Sequence, residues 1–233
     1  MRAYLTLFFM SLSLGAARAE ERLPDGEETR MGAVTAYLIA PTTRYSHGAL
    51  GDAIEAGGFA VDVSGQTKIF MLPKDEVFED LRVRLHDLDG DGPPEAIIIR
   101  SHVSKGASIA AYDIDSIGIS LRAQSDYIGQ ANRWLNIVGF GDFTGEGKTM
   151  VAAVVTPHLQ GSLRLYELVG DQLVERARID GFTNHLNGTR ELDLATLRDV
   201  NGDGIVDIML PVLDGSSMAA VTFKGGQPRV LQP

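Results

Sequence analysis

Short apolar runs recur along this chain and are separated by turns rich in Gly, Asp and Ser. Residues 82–86 alternate polar and apolar side chains, whereas residues 96–99, 151–155 and 208–210 form continuous apolar runs. Alternation with a period of two is typical of a half-buried strand, and a short continuous run suits a strand that is buried on both faces. The hydrophobic pattern therefore predicts an all-β protein built from short strands.

Ten further segments have the same character and are bounded by turn residues, which mark the ends of strands. Four of them lie before residue 82, and six lie after residue 107. They are residues 33–39, 56–63, 67–72, 77–81, 108–112, 117–123, 162–168, 174–179, 217–223 and 229–231.

Three acidic loops divide these strands into repeats. Residues 87–95 read DLDGDGPPE, residues 199–207 read DVNGDGIVD, and residues 142–150 read the degraded form DFTGEGKTM. The first residues of the loops are 55 and 57 positions apart, and a nearly fixed period is the signature of a repeat architecture. The residues before the last two loops also align, since Arg133, Leu135 and Ile137 fall opposite Arg190, Leu192 and Leu194.

Each repeat of about 56 residues holds four predicted strands, and the acidic loop joins the first two of them. An N-terminal repeat completes the set, but its turn at residues 47–55 has no carboxylate at the first, third or fifth position and is predicted to bind no metal. Four-stranded sheets of this period that are arranged radially are the blades of a propeller. The sequence therefore predicts an all-β, β-propeller-like array of about four four-stranded blades with calcium-binding hairpin loops. A solenoid or an open ring is the alternative arrangement.

The acidic loops carry oxygen-bearing side chains at alternate positions, which is the donor type that calcium prefers. The loop at residues 87–95 offers four carboxylates, and the loop at residues 199–207 offers three carboxylates and an amide. An EF-hand is excluded because its twelfth position needs an acidic residue, and Ile98 and Leu210 stand there. Two calcium sites are predicted, and an Asp- and Gly-rich turn without metal is the plain alternative.

The middle loop is predicted to be free of metal. It keeps Asp142, Thr144 and Glu146, but Lys148 and Met150 occupy its seventh and ninth positions. We expect the Lys148 ammonium to lie against Glu146 or Asp142 and to replace the charge of the ion.

The two complete loops resemble the FG-GAP/VCBS repeats of integrin-type β-propellers, whose loop reads D-x-D/N-x-D-G-x-x-D/E between the first two strands of a blade. The resemblance covers residues 81–210 well and the N-terminal repeat only by strand count. It implies calcium ligation by the side chains of the first, third, fifth and ninth residues and by the carbonyl of the seventh. The implied ligands are Asp87, Asp89, Asp91, Pro93 and Glu95 in one loop, and Asp199, Asn201, Asp203, Ile205 and Asp207 in the other.

Charge and cysteine content narrow the range of partners. The formal net charge is −10, and binding to nucleic acid or anionic lipid needs clustered basic residues, so a nucleic-acid partner is not expected. The chain contains no cysteine, which excludes disulfides, thiolate metal sites and a cysteine nucleophile.

The N-terminus has the pattern of a secretory signal. Arg2 precedes an apolar run at residues 5–14, which is followed by Ala17, Arg18 and Ala19. We expect cleavage after Ala19 and a periplasmic or secreted protein whose residues 20–233 form a single domain. The apolar run is shorter than the roughly 20 residues of a bilayer span, and no membrane span is predicted.

A ligand pocket is a further candidate site. Arg133 and Arg190 each lie nine residues before an acidic loop, at the start of the first strand of a predicted blade. First strands line the axis of a propeller, so we expect the two arginines to converge there with Trp134, Asn136 and Asp193. Arginine suits carboxylate and phosphate ligands through its planar fork, and Trp134 suits sugar stacking. The alternatives are an ion pair between blades for the arginines and a packing role for Trp134. The three histidines His47, His158 and His185 are interpreted as surface or turn residues.

The function that this pattern favours is an exported, calcium-binding FG-GAP/VCBS-type module that acts in binding or as a scaffold, without catalysis. Its partner is an unknown protein or a carbohydrate. The alternatives are a periplasmic enzyme that acts on carbohydrate or phosphate esters at the mouth formed by Arg133 and Arg190, and a purely structural subunit of an envelope assembly. An enzyme predicts a carboxylate of raised pKa in a concave pocket, and a module predicts that all perturbed acids lie in the metal loops.

Overall fold

The computed structural model describes residues 21–231 of the chain, and these residues form seventeen β-strands and one short 3₁₀ turn. The predicted signal segment and its cleavage site after Ala19 lie outside the described residues. No helix in residues 21–231 is long and apolar enough to cross a membrane. The all-β prediction is confirmed.

Consecutive strands pair into four antiparallel meanders of four strands each. The first meander contains β1 (Thr29–Met31), β2 (Val34–Thr42), β3 (Glu55–Val63) and β4 (Gln66–Met71), and the second contains β6 (Arg84–His86), β7 (Glu95–His102), β8 (Gly106–Ile114) and β9 (Ile119–Gln124). The third contains β10 (Leu135–Gly141), β11 (Met150–Val155), β12 (Ser162–Val169) and β13 (Gln172–Asp180). The fourth contains β14 (Thr196–Arg198), β15 (Asp207–Pro211), β16 (Met218–Thr222) and β17 (Arg229–Leu231).

Short contacts join three of the meanders into one sheet of thirteen strands. Strand β5 (Glu76–Phe78) pairs with β7 along its length and with β3 at one position, and β9 meets β13 at a single parallel position. The fourth meander is a separate sheet of four strands. The molecule is therefore one mixed sheet and one small antiparallel sheet.

The strand predicted at residues 77–81 is placed differently by the structure. It ends at Phe78 and pairs with the second meander, while β1 supplies the fourth strand of the first meander on the opposite edge. Asp80 explains the early end, because its carboxylate accepts the amides of Leu81 (2.9 Å) and Ile99 (3.1 Å). A side chain that takes backbone donors in this way competes with the strand ladder.

The core consists of three apolar clusters that follow the meanders. One fills the first and second meanders around Phe59, Phe78 and Tyr112, and a second lies under the second and third meanders around Trp134. The third joins the third and fourth meanders around Phe143 and Phe223. The separate fourth sheet is therefore held to the rest of the molecule by shared apolar packing.

Candidate functional site

The three acidic loops connect the first and second strands of the second, third and fourth meanders, and they share one backbone geometry. In the first loop, the Asp87 carboxylate accepts the amide of Gly90 at 2.7 Å and that of Gly92 at 3.0 Å. The other two loops repeat this pattern from their first residues: Asp142 accepts from Gly145 and Gly147, and Asp199 accepts from Gly202 and Gly204. The loops are therefore structural copies as well as sequence copies.

Glycine is required at two positions of each loop. The fourth and sixth residues have φ values between 75° and 105°, a region that other residues rarely adopt. The glycines at these positions, Gly90, Gly145 and Gly202 at the fourth and Gly92, Gly147 and Gly204 at the sixth, recur at the same place in all three loops.

The ninth residue of each complete loop is a buried carboxylate that holds the start of the loop. Glu95 accepts the amide of Leu88 at 2.7 Å, and Asp207 accepts that of Val200 at 2.9 Å. The second oxygen of Asp207, Oδ1, is buried without a hydrogen-bond partner among the described residues. Met150 holds the ninth position of the middle loop and is buried in the apolar core.

Carboxylate oxygens converge in the first loop. Ligand atoms of Asp87, Asp89 and Glu95 lie within 4.8 Å of one another, and Asp91 follows them in the same turn. Burial raises the pKa of Glu95 to about 7 against the effect of the Leu88 hydrogen bond, and the charges of Asp89 and Asp87 raise it further. An oxygen-only donor set with this excess of negative charge fits a calcium ion. Pro93 and Ile205 occupy the seventh positions from which the resemblance implies a carbonyl ligand.

Basic side chains lie against both complete loops. Arg122 approaches Asp89 at 3.4 Å, and Lys224 pairs with Asp203 at 3.1 Å. Asn201 accepts the amide of Asp203 at 2.9 Å, so this loop side chain also has a partner within the loop. A calcium ion in the last loop would therefore compete with the Lys224 ammonium for Asp203.

The prediction that the Lys148 ammonium contacts Glu146 or Asp142 is wrong. The ammonium pairs with Glu167 at 2.7 Å, and within the described residues it forms no ion pair with Glu146 or Asp142. The register explains this partner, because Met150 lies directly opposite Glu167 on β12, and Lys148 is only two residues away.

The five residues of the predicted pocket do not line one shared pocket in the described part of the chain. Trp134 is 2% exposed, and its indole N–H donates to the carbonyl of Glu79 at 2.9 Å, which is a packing role. Asn136 is fully buried and donates to the carbonyls of Leu192 and Asn184. Both side chains are used inside the protein and are not free for a ligand.

The two arginines of that prediction lie in different surroundings. Arg190 pairs with Asp25 at 2.8 Å and with Asp52 at 2.5 Å, while Asp193 pairs with Arg82. Arg133 instead lines a cleft of about 240 Å³ on the surface beside Trp134. The nine-residue spacing before the loops therefore gives the two arginines equivalent sequence positions without a common site.

A cluster of three histidines and Glu79, buried or half-buried next to that cleft, is not apparent from the sequence. His47 Nδ1 lies 2.6 Å from the Glu79 carboxylate, and His158 Nε2 lies 2.9 Å from His185 Nδ1. His185 is 1% exposed and therefore is not a surface residue, although it lies in the connection between β13 and β14 and not in a strand. No spacing signal reveals this cluster, because the partners are 27 to 32 residues apart in sequence and only folding brings them together.

Two buried carboxyl groups with a raised pKa, Glu55 and Glu79, lie outside the acidic loops, contrary to the expectation for a simple metal-stabilised module. Burial raises the pKa of Glu55 to about 10, with the charges of Glu79, Asp52 and Asp80 acting in the same direction. Burial also raises the pKa of Glu79. Glu55 lines a cavity of about 20 Å³ beside Arg190, which has room for one water molecule and not for a substrate.

Comparison with known proteins gives only distant structural likenesses. No family model matches the chain, and no curated protein matches it. A rhamnogalacturonan lyase from Bacillus licheniformis is similar with a TM-score of 0.46 and 14% identity over 92% of this chain, which spans 52% of the lyase. A Xanthomonas protein related to a type IV secretion system is similar with a TM-score of 0.37 and 12% identity over 92% of this chain and 98% of that protein. The chain thus spans about half the length of the lyase, and at these scores neither likeness carries an argument about function.

Proposed function

We propose that this protein is an exported, calcium-binding repeat module whose four meanders are the blades of a propeller-like array of the FG-GAP/VCBS type. Four consecutive four-stranded meanders and three hairpin loops of one geometry support the repeat assignment. The leader-like pattern of residues 1–19 supports export.

One observation carries the calcium assignment. Asp207 is fully buried, and its Oδ1 has no partner among the described residues, although a buried carboxylate oxygen without a partner is costly. Asp199, Asn201 and Asp203 belong to the same loop and supply only oxygen donors. A calcium ion held by these side chains gives the orphaned oxygen its partner. A different observation supports a calcium site at residues 87–95, where the ligand atoms of Asp87, Asp89 and Glu95 converge.

Different residues of the loop hold different parts of its backbone. The first aspartate holds the turn through two glycine amides, and the ninth carboxylate holds the second residue of the loop. Calcium, when bound, supplies positive charge that offsets the clustered carboxylates. With a dissociation constant of about 0.1 mM and about 1 mM calcium, each site adds about 1.4 kcal/mol to the free energy of unfolding.

A role in binding or as a scaffold fits this arrangement better than catalysis. The arginines of the enzyme alternative line separate cavities, and the acid of raised pKa beside Arg190 faces a space of about 20 Å³. The proposed role is therefore that of a rigid module that presents its surface to a protein or carbohydrate partner.

Calcium titration of the mature protein by calorimetry tests the proposal. We expect two bound ions for the wild type and one for each of the variants Asp87→Asn and Asp199→Asn. The variant Asp171→Asn, which changes an exposed aspartate in a turn outside the loops, is the matched control and keeps both ions. Absence of calcium binding, or thermal melts that are identical with and without chelator, contradicts the proposal.

A further inference from the structure

The cleft beside Trp134 has a composition unlike that of the chain as a whole. Its lining contains one guanidinium, two imidazoles, two amides and a hydroxyl but no carboxylate, on a protein of net charge −10. The lining residues are His47, Asn132, Arg133, Thr156, His158 and Asn187, with Trp134, Pro157 and Leu159 as its apolar part. Its volume of about 240 Å³ suits a ligand of the size of a monosaccharide.

Arg133 is available for an anion. Its only hydrogen bond within the described residues runs from Nη1 to the carbonyl of Asn132 at 3.0 Å, and it forms no ion pair there. Arg82 and Arg190 differ in this respect, since each pairs with two carboxylates. A guanidinium without an acidic partner keeps its planar fork free for a carboxylate or phosphate.

His47 is held in place by a buried support. The Glu79 carboxylate is fully buried and is shared between His47 Nδ1 and the Ser101 hydroxyl, both at 2.6 Å. This contact fixes the imidazole ring and leaves Nε2 without a partner among the described residues. A ring oriented by a buried carboxylate is typical of functional histidines, because one nitrogen is fixed so that the other can act.

His158 presents a hydrogen-bond acceptor. His185 Nε2 donates to the carbonyl of Thr189 at 3.0 Å, since a carbonyl can only accept. Burial lowers the pKa of both rings, that of His158 to about 4, so both are neutral at pH 7. His158 Nε2 therefore donates to His185 Nδ1, and His158 Nδ1 carries no proton.

Two of the four non-glycine residues with positive φ in the described part of the chain line the same cleft. Asn132 has a φ of 54° and Thr156 a φ of 51°, and both residues line it. Threonine is β-branched and strongly disfavours this region, so its conformation is maintained by the surrounding structure. Strain of this kind clusters at binding and active sites.

We propose that this cleft binds a small sugar that carries a carboxylate or phosphate group. Arg133 pairs with the anionic group, and His47, His158, Asn132 and Asn187 supply donors and acceptors for the sugar hydroxyls. This inference rests on the binding role proposed above, because it names the ligand class, but it does not depend on the calcium loops.

The single tryptophan provides the measurement. Trp134 stacks on His158 with ring centroids 5.9 Å apart, so its fluorescence responds to a ligand in the cleft. The full-length mature protein is titrated with glucuronate, glucose 6-phosphate, glucose and inorganic phosphate, in calcium and in chelator. We expect a saturable change with at least one anionic sugar below about 10 mM. We also expect at least tenfold weaker binding for Arg133→Gln and for His47→Gln.

The control variant is Arg229→Gln, which removes an exposed arginine from β17 far along the chain and leaves binding unchanged. Thermal melts show whether the variants remain folded. The affinity for glucuronate relative to that for glucose 6-phosphate shows whether a carboxylate or a phosphate is preferred. No saturable response to either anionic sugar, equal binding of glucose or inorganic phosphate, or an equal effect of Arg229→Gln overturns the inference. If the wild type binds no calcium in the calorimetric titration but still binds an anionic sugar, the calcium proposal is overturned and this inference stands.

Discussion

The ninth residue of each acidic loop shows how much depends on one side chain. Glu95 and Asp207 bury a carboxylate at the start of a strand, and Met150 buries a thioether at the equivalent place. The sequence pattern identifies all three positions, because the loop spacing fixes them. It does not reveal that one oxygen of Asp207 has no protein partner, since that depends on what the fold packs around it.

The variant Asp207→Asn tests the role of this oxygen. Asparagine keeps an acceptor for the Val200 amide and removes the buried charge. In chelator we expect the free energy of unfolding of the variant to equal or exceed that of the wild type, by up to about 2 kcal/mol, because the buried carboxylate oxygen without a partner is gone. In calcium we expect the order to reverse.

Urea unfolding with and without calcium makes this comparison, with Asp171→Asn as a control that follows the wild type in both conditions. A variant that is less stable than the wild type by the same amount in calcium and in chelator contradicts a metal role for Asp207.

Glu55 gives a prediction of pH dependence. The pKa of its carboxyl rises from 4.5 to about 10 on folding, so the folded state binds this proton more tightly than the unfolded state. Its contribution to stability is therefore complete below about pH 4.5 and is lost as the pH rises towards 10. The charged groups around it are Asp25, Asp52, Glu79, Asp80 and Arg190.

The matched variant is Glu55→Gln, which keeps the shape of the neutral carboxyl. We expect the free energy of unfolding of the wild type to fall relative to that of the variant between pH 5 and pH 9, measured by urea unfolding in chelator. A constant difference between the two proteins across this range contradicts the prediction.

At the scale of elements, two turn glycines with the same backbone conformation differ in how closely other backbone atoms approach them, and the sequence does not show this difference. Gly161 is the last residue of the connection into β12, and its carbonyl accepts the amides of Gly181 and Phe182. A Cβ atom at Gly161 would overlap the carbonyl oxygen of Phe182, whereas a Cβ atom at Gly170 would meet nothing within 4 Å. Both residues have positive φ, so only the close approach distinguishes them.

We therefore expect Gly170→Ala to cost about 1–2 kcal/mol, the backbone penalty alone. Gly161→Ala carries the same penalty and also forces the backbone of residues 181–182 to move, so its cost exceeds about 3 kcal/mol. Thermal or urea unfolding of the two variants gives the comparison, and equal losses contradict it.

The pattern of strands is predictable from the sequence because apolar periodicity is local. The exceptions are elements whose pairing depends on distant residues. Strand β5 leaves the first meander for β7, and β9 meets β13 in parallel at one position, which no local pattern encodes. The histidine and Glu79 cluster is missed for the same reason, since His47 and Glu79 are 32 residues apart.

At the scale of the whole molecule, the four meanders are not attached to one another in the same way. The first three share one sheet, whereas the fourth is separate and contains strands of only three to five residues. It is attached by the apolar cluster around Phe143 and Phe223 and by backbone hydrogen bonds from the Thr183 amide to the Pro211 carbonyl and from the Gly225 amide to the Thr144 carbonyl. The repeat period predicts four units but not this difference in their attachment.

We expect calcium removal to loosen the fourth meander first. Its strands make few contacts with the large sheet, and one proposed ion lies in its first hairpin. In hydrogen exchange, amides of residues 196–231 should lose more protection in chelator than those of residues 150–180, because local opening follows local stability. Equal changes in both regions, with bound calcium verified beforehand, contradict this order.

The shared geometry of the hairpin loops has an evolutionary consequence. In the middle loop, Asp142 holds its glycine amides although a lysine and a methionine stand at two of the positions that supply ligands in the proposed calcium loops. The turn therefore keeps its shape by its own hydrogen bonds. A repeat of this kind can lose its ion by point substitution without losing its hairpin, so the copies within one ancestral array are free to diverge separately in ion binding.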